Sequence, residues 1–508
     1  REKEMAIRLA VGATRGDIVR QLLLESGVLA LIGGGFGILL AWWSLDPLVR
    51  LVPFSFIPIE AEVKIDHAVL LTSIALTFCT VILFGLLPAW KASRPALEQS
   101  LKDGRRSAGD TRHRRAQRVL VVSQVALTFV LLIASTLLMR SFARLQRADP
   151  GFDPARVVKM EVALPASRYP AAPAVRAFYE QLSAKVRDIP GVEAASVTRL
   201  LPVTTFPLRS NISIEGASAD QLGAAPFAED RQVLPGYFAT LKIALLRGRE
   251  FSDRDNADAA PVAVVNEAFV AKYFPTGDAI GRRIRVDNSS PDAPWLTIVG
   301  IVNDVHQFRV SEAPVPEIYR PHAQAPDAAR RMALVLRSSL DQASLLRSVR
   351  DLVRAQDPGV PVFEVETMET LLARSYGGQK LAVLLLGVFG AFALVLTLLG
   401  IYGVIAYFVA QRTGEIGIRM ALGAQRHHIL QLIVGQGSSM IIVGLIIGVA
   451  CALAATRLLQ SLLFEVSASD FSTYVVVGGA LAIAALAASF FPARTAMRLN
   501  PMEALAHE

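Results

Sequence analysis

Runs of about 20 residues from which Arg, Lys, Asp and Glu nearly vanish constrain this chain more than any other feature. A helix of that length crosses a hydrocarbon core of roughly 30 Å, and it satisfies its own backbone hydrogen bonds where water is absent. Six such runs occur, near 23–45, 68–88, 119–139, 381–410, 429–456 and 473–492. They predict an α-helical polytopic membrane protein with six transmembrane helices. Composition agrees, because only 19% of the 508 residues are charged, against about 25% in soluble domains. The fourth run exceeds what a bilayer requires and is expected to tilt or project.

Between the third and fourth runs, residues 140–380 return to ordinary polar composition, as a soluble domain inserted between spans would. Strand-like patterning is expected at 157–164, 192–201, 212–215, 262–265, 296–302 and 333–336, with helices at 174–188 and 344–356. This predicts one large α+β domain, of two subdomains.

Sidedness follows from the basic loops, which stay in the cytoplasm. The loop after the second span holds Lys91, Arg94, Lys102, Arg105, Arg106, Arg112, Arg114, Arg115 and Arg118, whereas 464–472 holds no Lys or Arg. The large domain is therefore expected outside the cytoplasm. The basic loop explains much of the net charge of +8 and fits contact with anionic lipid headgroups. It lacks the aromatic and groove-reading features of a nucleic-acid site, so no nucleic-acid partner is expected. Cys79 and Cys451 both lie inside apolar runs, which excludes a disulfide framework.

An internal repeat organises the helices. Residues 1–43 align with 412–454 at a constant offset of 411, pairing Arg1/Arg412, Glu4/Glu415, Ile7/Ile418, Arg8/Arg419, Ala10/Ala421, Gly12/Gly423, Ala13/Ala424, Arg15/Arg426, Gly33/Gly444 and Gly37/Gly448. Shared apolar composition explains matches within a span, not the charged and glycine matches before it. A second block repeats less tightly, with Pro88-Ala89 to Pro95 echoing Pro492-Ala493 to Pro501. The expected layout is a cytoplasmic coupling loop at 1–22, the last two spans of a first unit at 23–88, and a basic cytoplasmic linker at 89–118. A complete second unit follows: a span at 119–139, the external domain at 140–380, a membrane region at 381–492 containing a second coupling loop at 411–428, and a tail at 493–508. The chain opens on Arg1 without an initiator Met, and the repeat leads one to expect a further span, external domain and span upstream in the natural protein.

In each loop copy the charged pair stands four residues apart, as Glu4 and Arg8 or Glu415 and Arg419, with an apolar pair beside it. On a helix that geometry stacks an ion pair along one side. Gly12 or Gly423, followed by Ala13 or Ala424, can then stop the helix in a left-handed conformation. Such a helix can dock in a partner's groove or lie on lipid, and its duplication favours a twofold-symmetric partner. Gly33/Gly37 and Gly444/Gly448 each make a GxxxG spacing, expected to mark close helix packing.

The motif from Arg412 to Ala424, the terminal Pro492-Ala493-Arg494 to Leu505, and the four-span unit with an external insertion resemble the FtsX/MacB-type permeases of ABC transporters. The doubled layout is similar to duplicated MacB-like orphan permeases of acidobacterial type. Within the external domain Leu234 to Phe238, Leu246 to Phe251 and Val264 to Ala268 look like the periplasmic region of that group. The resemblance implies a bacterial inner-membrane permease without its own ATPase. A cytoplasmic ATPase dimer would drive it by mechanotransmission, acting on a periplasmic or outer-leaflet substrate or a periplasmic protein partner.

No catalytic constellation is legible. The sequence contains no GxxxxGK[ST], HExxH or GxSxG, so no enzyme activity, cofactor or metal site is expected in it, and ATP with its magnesium would sit on the partner. Asp253, Asp255 and Asp258 resemble a calcium loop but lack its sixth-position glycine and twelfth-position Glu. Asp304 and His306 read as a surface pair, and His427 and His428 as an extension of the basic collar. Two other function classes stand beside the permease. One is a signalling scaffold regulating an envelope enzyme. The other is a proton-driven transporter, disfavoured because the third, fourth and sixth spans carry no ionisable residue at mid-membrane.

Overall fold

The structure is a computed structural model that describes residues 14–51, 65–82, 108–204, 208–216, 226–275, 277–286, 293–325, 328–412, 418–419, 425–460 and 463–496. It divides into two compact units, Arg1–Phe142 with Gly378–Glu508, and Ala143–Gly377.

The first unit is helical. It contains α1 (Arg15–Leu51), α2 (His67–Val81) and α3 (Ala108–Leu145). The second unit interrupts the series with β1 (Val157–Ala163), α4 (Ala172–Arg187), β2 (Val192–Thr198), β3 (Arg209–Ile214), β4 (Phe227–Val233), α5 (Tyr237–Leu241), β5 (Leu245–Gly248), β6 (Val262–Asn266), α6 (Glu267–Tyr273), β7 (Arg283–Val286), β8 (Leu296–Val302), β9 (Glu317–Pro321), β10 (Arg331–Ser338), α7 (Gln342–Gln356), β11 (Val362–Thr367) and α8 (Met368–Ser375). The chain then returns to the first unit as α9 (Gly377–Gln411), α10 (Arg426–Leu458) and α11 (Phe471–Ala496).

Among the described residues five helices are long and apolar enough to cross a membrane, namely Leu23–Pro47, Gln117–Leu145, Gly377–Gln411, His427–Leu458 and Phe471–Thr495. The expected span at 68–88 is described as far as residue 82 and forms the shorter apolar helix α2; its remainder lies outside the described residues. α3 is longer than the apolar run that signals it, because the Arg- and Gln-bearing stretch 108–118 continues the helix before the apolar segment begins. At 35 residues, α9 is about 52 Å long, well beyond the hydrocarbon thickness.

Local chemistry sets the helix starts. Thr14 and Asp17 make a reciprocal cap on α1, with the Thr14 amide donating to Asp17 Oδ2 at 2.9 Å and the Asp17 amide to Thr14 Oγ1 at 3.3 Å. Asp66 caps α2 by accepting from the Val69 amide at 2.9 Å. α3, α9, α10 and α11 share one apolar core built from Val125, Phe129, Ile133, Ile401, Ile405, Ile433, Ile441 and Leu481. Their outward faces, including Phe389, Phe392, Ile446 and Ile483, stay exposed, as lipid-facing residues must.

The second unit carries one sheet in the order β11-β1-β10-β2-β4-β3-β7-β8-β6-β9, with β5 on β8. Parallel pairing of β4 with β9 closes six of these strands into a ring. Two apolar cores form on this sheet. One joins β1, β2 and β10 to α4 and α7 through Met160, Tyr179, Leu182, Leu334 and Val349. The other joins the ring strands to α6 through Ile212, Val265, Phe269, Ile284 and Ile318. The α+β domain thus carries two apolar cores on one sheet.

Candidate coupling and helix-packing sites

The loop between α9 and α10 is described at Arg412, at Ile418–Arg419 and from Gln425 onward. Arg412 places its guanidinium 4.5 Å from the centre of the Phe408 ring, and Arg419 is an exposed residue in a helical turn. Glu415, Gly423 and Ala424, and in the first copy Glu4, Arg8, Gly12 and Ala13, lie outside the described residues. Where α3, α9 and α10 meet near this loop, Gln117, Arg118, Tyr407, Phe408, Gln436 and Met440 line a cavity of about 30 Å³.

Deeper in the bundle the GxxxG glycines take different surroundings. A Cβ at Gly444 would lie 2.7 Å from Val125 Cβ and 3.1 Å from the Val122 carbonyl oxygen, and one at Gly448 would lie 3.1 Å from Phe129 Cβ. α3 and α10 therefore approach so closely that only glycine fits at Gly444. Among the described residues a Cβ at Gly33 or Gly37 meets nothing within 4 Å.

α3 is also tied to α9 by polar groups that sequence inspection does not single out. Thr128 Oγ1 lies 2.7 Å from Thr397 Oγ1 and donates to the Ala393 carbonyl at 3.1 Å. Thr128 and Thr397 are both fully buried. Gly390 beside Leu132 and Gly400 beside Gln124 keep the two backbones close. A Thr in each of two apolar runs can hydrogen-bond across helices, but pairing the two requires the register. At the other end of α3, Arg140 bonds Asp470, Ser472 Oγ at 2.9 Å and Thr473 Oγ1 at 2.7 Å. Hydrogen bonds from Thr473 and Ser472 hold the Asp470 carboxyl below its usual range. The amide of Phe464 donates to Ser141 Oγ at 2.8 Å. One helix, α3, thus touches α9, α10 and the start of α11.

In the second unit the motifs that carried the family resemblance are joints. Gly236 adopts φ +88°, which lets Tyr237 and Phe238 turn inward against Tyr319, with ring centres 6.1 and 5.0 Å apart. Gly248, at φ +77°, sits where a Cβ would strike the Val299 carbonyl of β8. Asn266 caps α6 by accepting from the Phe269 amide at 3.0 Å, accepts from the Glu317 amide at 2.8 Å, and donates to the Val315 carbonyl at 2.8 Å. Asp255 takes both ends of the Arg249 guanidinium at 2.8 Å and the Ser252 amide at 2.9 Å, which closes its turn. Asp304 accepts from the Ala268 amide at 2.8 Å, while His306 Nδ1 lies 2.8 Å from the Glu312 carbonyl. Among the described residues no group of three or more His, Cys, Asp or Glu side chains converges on a metal-sized site.

Charged residues are buried where β4 meets β9. Their register sets Glu229 beside Glu317 and Arg231 beside Tyr319, so these four share one face and Asp230 and Arg320 the other. Asp230 and Arg320 form a two-pronged ion pair. Glu317 accepts from the Tyr319 hydroxyl. Burial pushes the Glu317 carboxyl up to about 7, despite the opposing field of Arg231. Arg231 is 1% exposed, Glu229 stands 3.9 Å from it, and its guanidinium makes no hydrogen bond among the described residues.

The fold and these contacts define a class: a multi-pass membrane protein whose helical unit is interrupted by one large α+β domain. The FtsX-like permease C-terminal family matches residues 1–97 and 387–501, and the MacB-like periplasmic core domain matches residues 119–352. The chain belongs to the MacB/FtsX type of ABC transporter permeases, with its large domain in the periplasm. It is 27% identical over 270 residues to the macrolide export ATP-binding/permease protein MacB of Marinobacter nauticus, a match covering 52% of this chain and 41% of that protein. It is 27% identical over 269 residues to the pyoverdine export ATP-binding/permease protein PvdT of Pseudomonas aeruginosa, covering 51% and 39%. The periplasmic region of MacB from Actinobacillus actinomycetemcomitans superimposes with a TM-score of 0.30 at 11% identity, over 44% of this chain and 92% of that structure. The match thus spans about two fifths of the curated relatives' own length.

Proposed function

We propose that this chain is the permease component of an inner-membrane ABC export system and that it relays the motion of a separate ATPase dimer to its periplasmic domain. The relatives' names pair export with ATP binding, and residues 1–508 hold no phosphate-binding GxxxxGK[ST] loop. The two repeated loops, with Glu4, Arg8, Gly12 and Ala13 in one and Glu415, Arg419, Gly423 and Ala424 in the other, are the docking elements for that dimer. The observation that carries the relay is the seating of α3 on both α9 and α10. α10 begins just after the second loop, whereas α3 leads into the periplasmic domain and α9 leads out of it. The Thr128–Thr397 bond and the Gly444 contact therefore join the loop to both connections. Substrate is handled at the periplasmic side or outer leaflet.

The test is recovery of vanadate-sensitive ATPase activity with the tagged full chain purified from its native membrane. Reversing the pairs, Glu415→Lys with Arg419→Glu and Glu4→Lys with Arg8→Glu, is expected to lower the recovered activity at least about tenfold, a loss of roughly 1.4 kcal/mol in association. Unchanged recovery would remove the docking assignment.

A further inference from the structure

Strands β2 and β4 join the two apolar cores of the periplasmic domain through one register pair among the described residues, Thr198 with Val233. Beside that junction α5 packs on β2 and β10, and Arg337 of β10 holds it by donating to the Thr240 carbonyl at 2.9 Å. From α5, Tyr237 and Phe238 reach across to Tyr319 of β9. Ala228 and Ile318 lie in the core that includes α6, so the alternating residues Glu229, Arg231, Glu317 and Tyr319 face the α5 side instead. The joint between the cores is thus lined by two carboxyls, a guanidinium and a tyrosine, all buried.

These groups are unequally served. Glu229 accepts from the Leu208 amide at 2.8 Å and has Arg209 Nε at 3.5 Å. One oxygen of Glu317 accepts from the Tyr319 hydroxyl, while the other, like the whole Arg231 guanidinium, makes no hydrogen bond among the described residues. Burial raises the Glu317 carboxyl to about 7, so it is neutral below that pH and charged above it. A buried carboxylate is costly unless a cation closes on it. Arg231, whose field already acts on Glu317, is the cation that Glu229 can release. The other groups facing Glu317 are Tyr237 of α5, Tyr319, Glu229 and, just beyond β8, Asp304, none of them a cation.

We infer that Glu317 and Arg231 form a proton-operated clasp at this joint. Loss of the Glu317 proton draws the guanidinium onto the carboxylate and moves the Tyr319 ring that the carboxyl anchors. Because Tyr237 and Phe238 rest on that ring, α5 moves with it and the two cores change their spacing. The clasp goes beyond the relay proposed above and needs neither nucleotide nor ATPase.

The experiment places one spin label on each core of the full chain, at Ala184→Cys on α4 and Ala271→Cys on α6, both exposed, after the free cysteines Cys79 and Cys451 are replaced by Ser. Electron–electron resonance distances are compared at about pH 5.5 and about pH 8.5, on either side of the Glu317 titration. The mean distance is expected to shift by more than about 2 Å, the scale of a true rearrangement. Glu317→Gln, which keeps the shape of the neutral carboxyl, should hold the low-pH distance at both values. Arg231→Met should also abolish the shift, whereas Asp304→Asn should retain it. Three results would overturn the inference: equal distances at both pH values in the unaltered chain, a shift that survives Glu317→Gln, or a distribution that only broadens as circular dichroism reports loss of secondary structure.

Discussion

The hydroxyl of Thr128 lies 2.7 Å from that of Thr397, joining the helix that enters the periplasmic domain to the helix that leaves it. Because Thr128 also reaches the Ala393 carbonyl at 3.1 Å, a hydroxyl on each helix is satisfied inside the bundle. Interhelical hydrogen bonds of this kind contribute about 0.6 kcal/mol on average and at most about 1.7. Thr128→Val and Thr397→Val should each destabilise the detergent-solubilised chain by that order. Their double-mutant cycle should show a coupling of similar size, read by reversible unfolding in mixed micelles. Strict additivity would mean the hydroxyls act separately.

The two GxxxG copies should respond differently to the same change. Gly444→Leu forces a side chain into Val125, and overpacking typically costs about 1–3 kcal/mol. Gly33→Leu meets open space among the described residues and should alter the stability of the isolated chain by less than about 0.5 kcal/mol. Thermal unfolding of the two variants side by side checks this contrast.

The buried pair on the ring strands makes a sharper stability test. Asp230 and Arg320 have side chains only 6% and 10% exposed, and removing one member of such a pair typically costs about 3–5 kcal/mol. Asp230→Ala should lose that much, and adding Arg320→Met should recover most of it. Trp295, which is the only tryptophan between 143 and 377, reports unfolding once Trp42, Trp43 and Trp90 are replaced by Phe.

Glu317 gives the domain an inverted pH dependence. Its carboxyl titrates near 7 when folded and near its ordinary 4.5 when unfolded, so between those values the folded state holds the extra proton. Stability from this group is fully present below pH 4.5 and is lost as pH rises through about 7, by roughly 3 kcal/mol in total. Asp255, lowered chiefly by its hydrogen bond from Arg249, acts oppositely. Its contribution is present above its ordinary value of 3.8 and is lost as pH falls through its lowered one. Trp295 fluorescence during denaturation at pH 4.5 and pH 7.5 should show the decline, and Glu317→Gln should flatten it.

The membrane helices were legible because scarcity of charge over about 20 residues has few other causes. Their ends were less so. α3 begins at Ala108 because Arg, Gln and Ala favour a helix as readily as the apolar residues after them, and hydropathy cannot see that continuation. In the external domain β1 and β8 announced themselves by their apolar residues. β4, with Glu229, Asp230, Arg231 and Gln232 in succession, reads as an exposed loop, yet all four are buried. Its partner β9 supplies Arg320 and Tyr319 from nearly 90 residues away, and no local pattern reveals a charge that is neutralised across that distance. Gly444 and Gly448 were found through the repeat. That α3 covers one glycine pair and leaves the other open depends on tertiary placement.

Transmission from the loop to the periplasmic domain is tested most directly by hydrogen exchange at 362–377, the segment through which the domain continues into α9. The full chain would be assembled with the ATPase recovered alongside it and compared without nucleotide and after vanadate trapping. Protection in this segment should differ between the two states, and the difference should vanish in the chain carrying Glu415→Lys and Arg419→Glu. Identical exchange in both nucleotide states of the unaltered complex would contradict the relay.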